Sequence, residues 1–217
     1  MNIIIEKGTK YDIDQLEQLY DDLNDFLETG INYPGWRKGI YPAREDAVNG
    51  VANENLYVAK AAGKIVGSLI LSHEPESAYH KVQWGINADY SDIFVIYTFA
   101  VHSEYLKNGV GMALMDFAVQ HGLKEHAKAI RLDVYDKNLP AVKLYEKCGF
   151  TYVDTVDLGL GNYGLHWFKL YEKKYCKFLH GKSRPLIFDQ QGGFFGLNGY
   201  WFYLYFTKIL HNFLKKH

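Results

Sequence analysis

The chain has 217 residues, 16% of them aromatic with 18 Tyr, and a formal net charge of −1, a balance that argues against a dedicated nucleic-acid binder. It holds 2 Cys, Cys148 and Cys176, too few for a disulfide framework and without a CxxC pair to hold zinc. Nine His are scattered without ligand spacing, so no metal is expected.

The chain opens on NIIIE, Asn2–Glu6, a short first strand. Ile13, Leu16, Leu19, Leu23, Phe26 and Leu27 then recur at helical spacing, with Asp12 as cap and Gly30 as stop. Proline, glycine and aromatics make INYPGWRKGIYP a loop, and Pro42 suits the first turn of a second helix, AREDAVNGVAN. LYVAKAAGKIVGSLILSH reads as a hairpin around Ala-Ala-Gly-Lys. After a polar stretch, DIFVIYTFAVH is nearly continuously apolar, as expected at the centre of a sheet. The period changes at Gly109, where Val110, Leu114, Phe117, Ala118 and Leu123 fall on one helical face. AIRLDVYD is a strand, and Asn138 opens a helix with Pro140 in its first turn, Val142, Leu144 and Tyr145 inward, and Gly149 closing it. FTYVDTVDL and GLHWFKLYE form a closing antiparallel pair. The result is an α/β chain of α+β type, β-α-α-β-β-β-α-β-α-β-β, with a mixed, mostly antiparallel central sheet flanked by helices.

YLKNGVGMAL, 105–114, places two glycines where an apolar strand gives way to a helix. Such a turn leaves backbone N–H groups pointing outward, and with the helix dipole they form an anion site. The alternative is a plain strand–helix connection, since neither GxGxxG nor a Gly-Lys-Ser/Thr loop is present. The spacing to NLPAVKLYEKCGF decides between the two. Tyr97-Thr98-Phe99-Ala100-Val101-His102, the turn Gly109-Val110-Gly111, and Asn138, Ala141, Leu144, Tyr145, Gly149 and Phe150 together resemble the GCN5-related N-acetyltransferase (GNAT) family, over roughly residues 1–171. Leu106 departs from the pattern, standing where the family has Arg or Gln.

The resemblance implies the acyl-CoA N-acyltransferase fold, acetyl-CoA as donor and a primary amine of a small molecule or peptide as acceptor, attacking directly in a ternary complex. It further implies a pyrophosphate cradle from the amides of Lys107, Asn108, Gly109, Val110, Gly111 and Met112. Strand contacts to the coenzyme fall at Phe99, Ala100 and Val101, and helix contacts at Asn138, Ala141 and Tyr145. Tyr145 is the expected general acid, against the alternative of a packed aromatic. Asn138 is equally a helix cap. The general base is not readable: Glu104, His102 and Asp92 lie near the strand but read as solvated groups, and Asp133 and Asp136 form no evident pair. Tyr33, Trp36, Arg37 and Tyr41, with EPESAYHKVQWGINADY, are expected to shape an acceptor pocket or else clasp the core.

These motifs assign 1–172 to the acetyltransferase domain and leave 173–217 as a basic, aromatic-rich extension. That extension has eight Lys or Arg and one acid, against about −8 on the remainder. Tyr203, Phe206, Leu210, Phe213 and Leu214 recur at helical spacing, and the uncharged run is short for a membrane span. Packing within a homodimer or on the core is favoured over contact with a membrane surface. A CoA-binding protein without turnover, and a membrane- or partner-binding protein on the same scaffold, stay open as alternatives. MNIIIEKGTKYDID lacks the pattern of a signal peptide, and a reducing cytoplasm is the expected compartment.

Overall fold

The computed structural model describes residues 1–175, so the extension from 176 onward lies outside it. The strands are β1 (Ile4–Lys7), β2 (Leu56–Ala61), β3 (Lys64–Ser72), β4 (Ile93–Val101), β5 (Ala129–Tyr135), β6 (Thr151–Val156) and β7 (Phe168–Lys174). The helices are α1 (Ile13–Glu28), α2 (Arg44–Ala52), α3 (Val110–Lys124) and α4 (Leu139–Lys147). All seven strands join one sheet in the order β1-β2-β3-β4-β5-β7-β6. Only β4 and β5 run parallel, and every other neighbouring pair is antiparallel.

Period-two alternation divides the sheet's side chains between two faces. Ala59, Leu69, Phe94, Ile96, Ile130, Leu132 and Val134 pack with Leu114, Met115, Val142 and Tyr145 of α3 and α4. On the other face Leu56, Val58, Ile65 and Ala100 meet Leu16, Leu19, Tyr20, Leu23 and Ala47 of α1 and α2. Helices α1 and α2 leave the β4–β5–β7 half of this face uncovered. There Tyr79, Val82, Trp84 and Tyr90 close over Val95, Tyr97 and Leu170.

Local chemistry departs from the sequence expectation at several element ends. Asp12 precedes α1, but its carboxylate accepts from the Thr9 amide at 2.9 Å and pairs with Lys60 at 2.7 Å, so it does not cap the helix. Pro42 lies before the N-terminus of α2, whose capping contact is Asp46 Oδ2 accepting from the Ala43 amide at 2.7 Å. Phe26 and Leu123 share the helical period but are exposed; Met115 and Gly122 complete the buried face of α3 instead. β7 runs two residues past the expected domain limit at Glu172, and the Tyr175 hydroxyl donates to the Val119 carbonyl at 2.8 Å.

The covering segment is anchored by a buried ion pair. Arg131 and Glu172, with side chains 2% and 1% exposed, pair at 3.1 Å across the β5–β7 register. Arg131 also donates to the Ile86 carbonyl at 2.6 Å and lies 4.2 Å from the Trp84 ring centroid. Removing one member strands the other in a low-dielectric site. Arg131→Met is expected to lower unfolding stability by about 3–5 kcal/mol, measured by urea denaturation.

Candidate active site

β4 and β5 pair only at Ile93–Ala129, Phe94–Ile130 and Val95–Arg131. β5 continues along β7 as far as Tyr135, while β4 continues along β3 to Val101. The two central strands therefore part beyond Val95, and the β5-facing edge of β4 has no ladder partner from Ile96 onward. A cavity of about 370 Å³ fills the wedge. Its walls are Ile96–Phe99 of β4, Asp133–Tyr135 of β5, Tyr145 of α4, and the loops that carry Trp36, Tyr41, Leu160 and Tyr163.

The parting brings together groups from opposite faces of the sheet. Tyr145 belongs to the α3–α4 face. Asp133 alternates with Leu132 and Val134, so it projects to the other face, where the Tyr79 hydroxyl donates to its Oδ2 at 2.8 Å. In a closed sheet the two would be separated by the backbone layer. Burial pushes the Asp133 carboxyl up to about 6, opposed by the Tyr79 hydrogen bond and assisted by the charge of Glu76, which also lines the cavity. Burial likewise raises the Tyr145 phenol far above its usual range, with the negative charge of Asp133 contributing. Near neutrality the cavity thus holds an ionised carboxylate and a fully protonated phenol.

Beyond the end of β4, Lys107 takes φ +63° and Gly109 φ +85°, turning the chain directly into α3. The amides of Lys107, Gly109, Val110, Gly111 and Met112 have no hydrogen-bond acceptor among the described residues. The Asn108 amide is taken by the Tyr105 carbonyl at 3.3 Å. Leu106 is exposed and offers no donor. The two glycines serve different ends. Nothing lies within 4 Å of where a Cβ on Gly109 would sit, so that position needs glycine for its positive φ. A Cβ on Gly111 would stand 3.3 Å from Leu144 Cδ2, so there glycine permits α3 to approach α4. Asn138 caps α4 through its Oδ1, which accepts from the Ala141 amide at 3.3 Å and leaves the side-chain NH2 to donate elsewhere.

Trp36 and Tyr41 line the cavity, whereas Tyr33 is not among its lining residues. Glu76 is the one member of the 74–90 stretch in the cavity wall, and Tyr79, Trp84 and Tyr90 form the apolar clasp. Asp92 is paired with Lys128 at 2.5 Å and His102 with Asp22 at 3.3 Å, and neither these residues nor Glu104 line the cavity. Asp133 is the acid that sequence reasoning passed over. Its signal was an Asp within the apolar run AIRLDVY, at a position where alternation buries it on a sheet face. Among the described residues no group of His, Cys, Asp or Glu is arranged to hold a metal ion, and no helix is long and apolar enough to cross a membrane.

The model of the acetyltransferase (GNAT) family matches residues 16–150. The chain belongs to this family. Among solved structures, a GNAT-family acetyltransferase from Streptococcus agalactiae 2603 superposes with a TM-score of 0.63 at 20% identity, covering 81% of this chain and 96% of that one. A ribosomal-protein-alanine N-acetyltransferase from Brucella melitensis gives 0.60 at 16% identity over 79% and 99%. At these identities the likeness is one of fold. The chain is 27% identical over 153 residues to the UPF0157 protein YqkA of Bacillus subtilis (strain 168), and 35% identical over 66 residues to a streptothricin acetyltransferase of Escherichia coli. These alignments span 69% and 30% of the chain, but only 39% and 38% of the length of those relatives.

The raised Asp133 carboxyl has a consequence for stability. A folded-state pKa above the unfolded one favours the native state while the group is protonated. That contribution is complete below about pH 4 and is lost as pH rises through the folded value. Asp133→Asn keeps an acceptor for Tyr79 and removes the buried charge. It is expected to raise unfolding stability at pH 7 by about 3 kcal/mol and to change little below about pH 4, measured by chemical denaturation at the two pH values.

Proposed function

We propose that the chain transfers the acetyl group of acetyl-CoA to a primary amine of a small molecule or peptide, with both substrates held at the β4–β5 opening. One observation carries the reading: Tyr145 and Asp133, from opposite faces of the sheet, meet in one cavity at the end of a strand that leads to a run of unpartnered amides. Acetyl-CoA would supply the acetyl group already activated as a thioester.

This chain's residues fit such a donor. The amides of Lys107, Gly109, Val110, Gly111 and Met112 would hold its pyrophosphate at the positive end of α3. With Leu106 in place of Arg or Gln, the cradle works through backbone alone. The open edge of β4 around Phe99, Ala100 and Val101 offers main-chain groups to an amide-rich arm, as an added strand would use them. The side-chain NH2 of Asn138 and the start of α4 at Ala141 flank the same opening. A backbone donor at Phe99 or Ala100 is suited to polarise the acetyl carbonyl.

Asp133 is the proton acceptor for the incoming ammonium. A carboxyl that titrates at about 6 is ionised at neutral pH, yet basic enough to be useful there. Tyr145 stays protonated and is the donor to the departing sulfur. Trp36, Tyr41, Tyr97 and Tyr163 give the acceptor an aromatic enclosure with Glu76 as a further acid, a setting that suits a cationic amine. The enzyme is read as cytoplasmic and independent of metal.

A thiol-release screen of amines with acetyl-CoA tests the proposal. With an accepted amine, Tyr145→Phe is expected to lower kcat roughly 100-fold at neutral pH. The kcat/KM of the native protein should rise with pH through about 6, the value at which Asp133 becomes a carboxylate, and Asp133→Asn should lose that limb. A Tyr145→Phe rate close to the native one at every pH would remove Tyr145 from the chemistry.

A further inference from the structure

The register between β3 and β4 contains one extra residue. Ile70 faces Tyr97 and Ser68 faces Ala100, so Leu69 stands opposite both Thr98 and Phe99. This is a β-bulge, and its first residue is in an unusual state: Thr98 has φ +45°. A β-branched residue rarely occupies that region, and the conformation persists only where the surroundings hold it. Thr98 is 4% exposed.

What holds it is Tyr41. The Thr98 amide, released from the ladder by the bulge, donates to the Tyr41 hydroxyl at 3.1 Å. The same hydroxyl and Thr98 Oγ1 share a hydrogen bond at 2.9 Å. The Tyr41 ring stands edge-on to Trp36, with centroids 5.5 Å apart. Trp36 and Tyr41 come from the loop that walls the cavity, and Tyr41 and Thr98 both line it. Burial pushes the Tyr41 phenol up to about 12, so its proton is in place across the working pH range.

We propose that Tyr41 is a positioning residue that holds the Thr98 bulge of β4, and so aims the backbone of Phe99 and Ala100 at the acetyl carbonyl. The inference rests on the reading that β4 presents its open edge to the donor. It assigns the Tyr41 hydroxyl to the strand that carries the donor. Its ring still walls the acceptor space, so one side chain ties the acceptor loop to the donor strand. Without the hydroxyl the Thr98 amide loses its one hydrogen-bond partner, and other backbone angles at Thr98 compete with the positive φ.

Two measurements on the full-length protein test this. Amide hydrogen exchange followed by NMR reads the latch without reference to catalysis: Tyr41→Phe should speed exchange at Thr98 and Phe99 at least tenfold, with β5 and β7 amides unchanged. Steady-state kinetics with an accepted amine reads the consequence. Tyr41→Phe should lower kcat at least tenfold, while CoA affinity by calorimetry stays within about twofold, because the pyrophosphate cradle lies beyond the bulge. Thr98→Gly in the Tyr41→Phe background should restore much of the lost kcat, since glycine holds a positive φ unaided. Unchanged exchange at Thr98 and Phe99 overturns the latch. Faster exchange with kcat within twofold of native, or a kcat loss that Thr98→Gly does not recover, overturns its catalytic role. Absence of thiol release from the native protein with every amine defeats the acetyl-transfer reading itself and the catalytic role with it, while exchange still decides the latch.

Discussion

The separation of two parallel strands organises this molecule. Adjacent strands in a sheet normally satisfy each other's backbone groups, and an unpaired row inside a protein is costly. Here β4 and β5 share three pairs and then diverge, each retained by its outer neighbour. The divergence exposes main-chain donors and acceptors at the centre of the sheet, where strands at the edge could not place them. It also perforates the layer that would otherwise keep the two faces apart.

Perforation explains the electrostatics of the site. Asp133 and Tyr145 each acquire a raised pKa from burial on their own face, the first under the 74–90 clasp and the second beneath α4. Each group favours its neutral form for the same reason, but their ordinary values differ so widely that neutral pH falls between them. One is then an anion and the other a phenol. The ion pair of Arg131 and Glu172 serves this arrangement at a distance, since the segment it fastens carries Tyr79, the residue that orients Asp133.

Much of this was legible in the residues. Apolar periodicity located α1 and α3, a continuous apolar run located β4, and proline and glycine punctuation bounded α2 and the β2–β3 hairpin. Gly109 marked a helix start through a positive φ, and Asn138 through a side-chain oxygen that caps the first turn. Asp133 was legible only as an acid inside an apolar strand; its partner Tyr79 is distant in the chain, and no local pattern announces the clasp that covers it. The hydrogen bonds of the Tyr41 hydroxyl to Thr98 were not legible either, because an aromatic loop residue carries no sign of what its tip will touch. Asp12 looked like a cap for α1, but Thr9 and Lys60 compete for the carboxylate and win. The amphipathic pattern from Tyr203 to Leu214 lies outside the described residues.

The bulge in β4 bears on how the chain tolerates change in length. Phe94 and Ile96 face α3 and α4, and so do Phe99 and Val101, which lie on the opposite parity of residue number. The switch occurs at the extra residue. A chain shortened by Thr98 would therefore leave every other β4 side chain on the face it already occupies, and would give Leu69 a single partner in an unbroken ladder. Packing alone would favour the shorter strand. That the strand carries one residue more than its own core can use marks this position as one where regular sheet structure yields to the site.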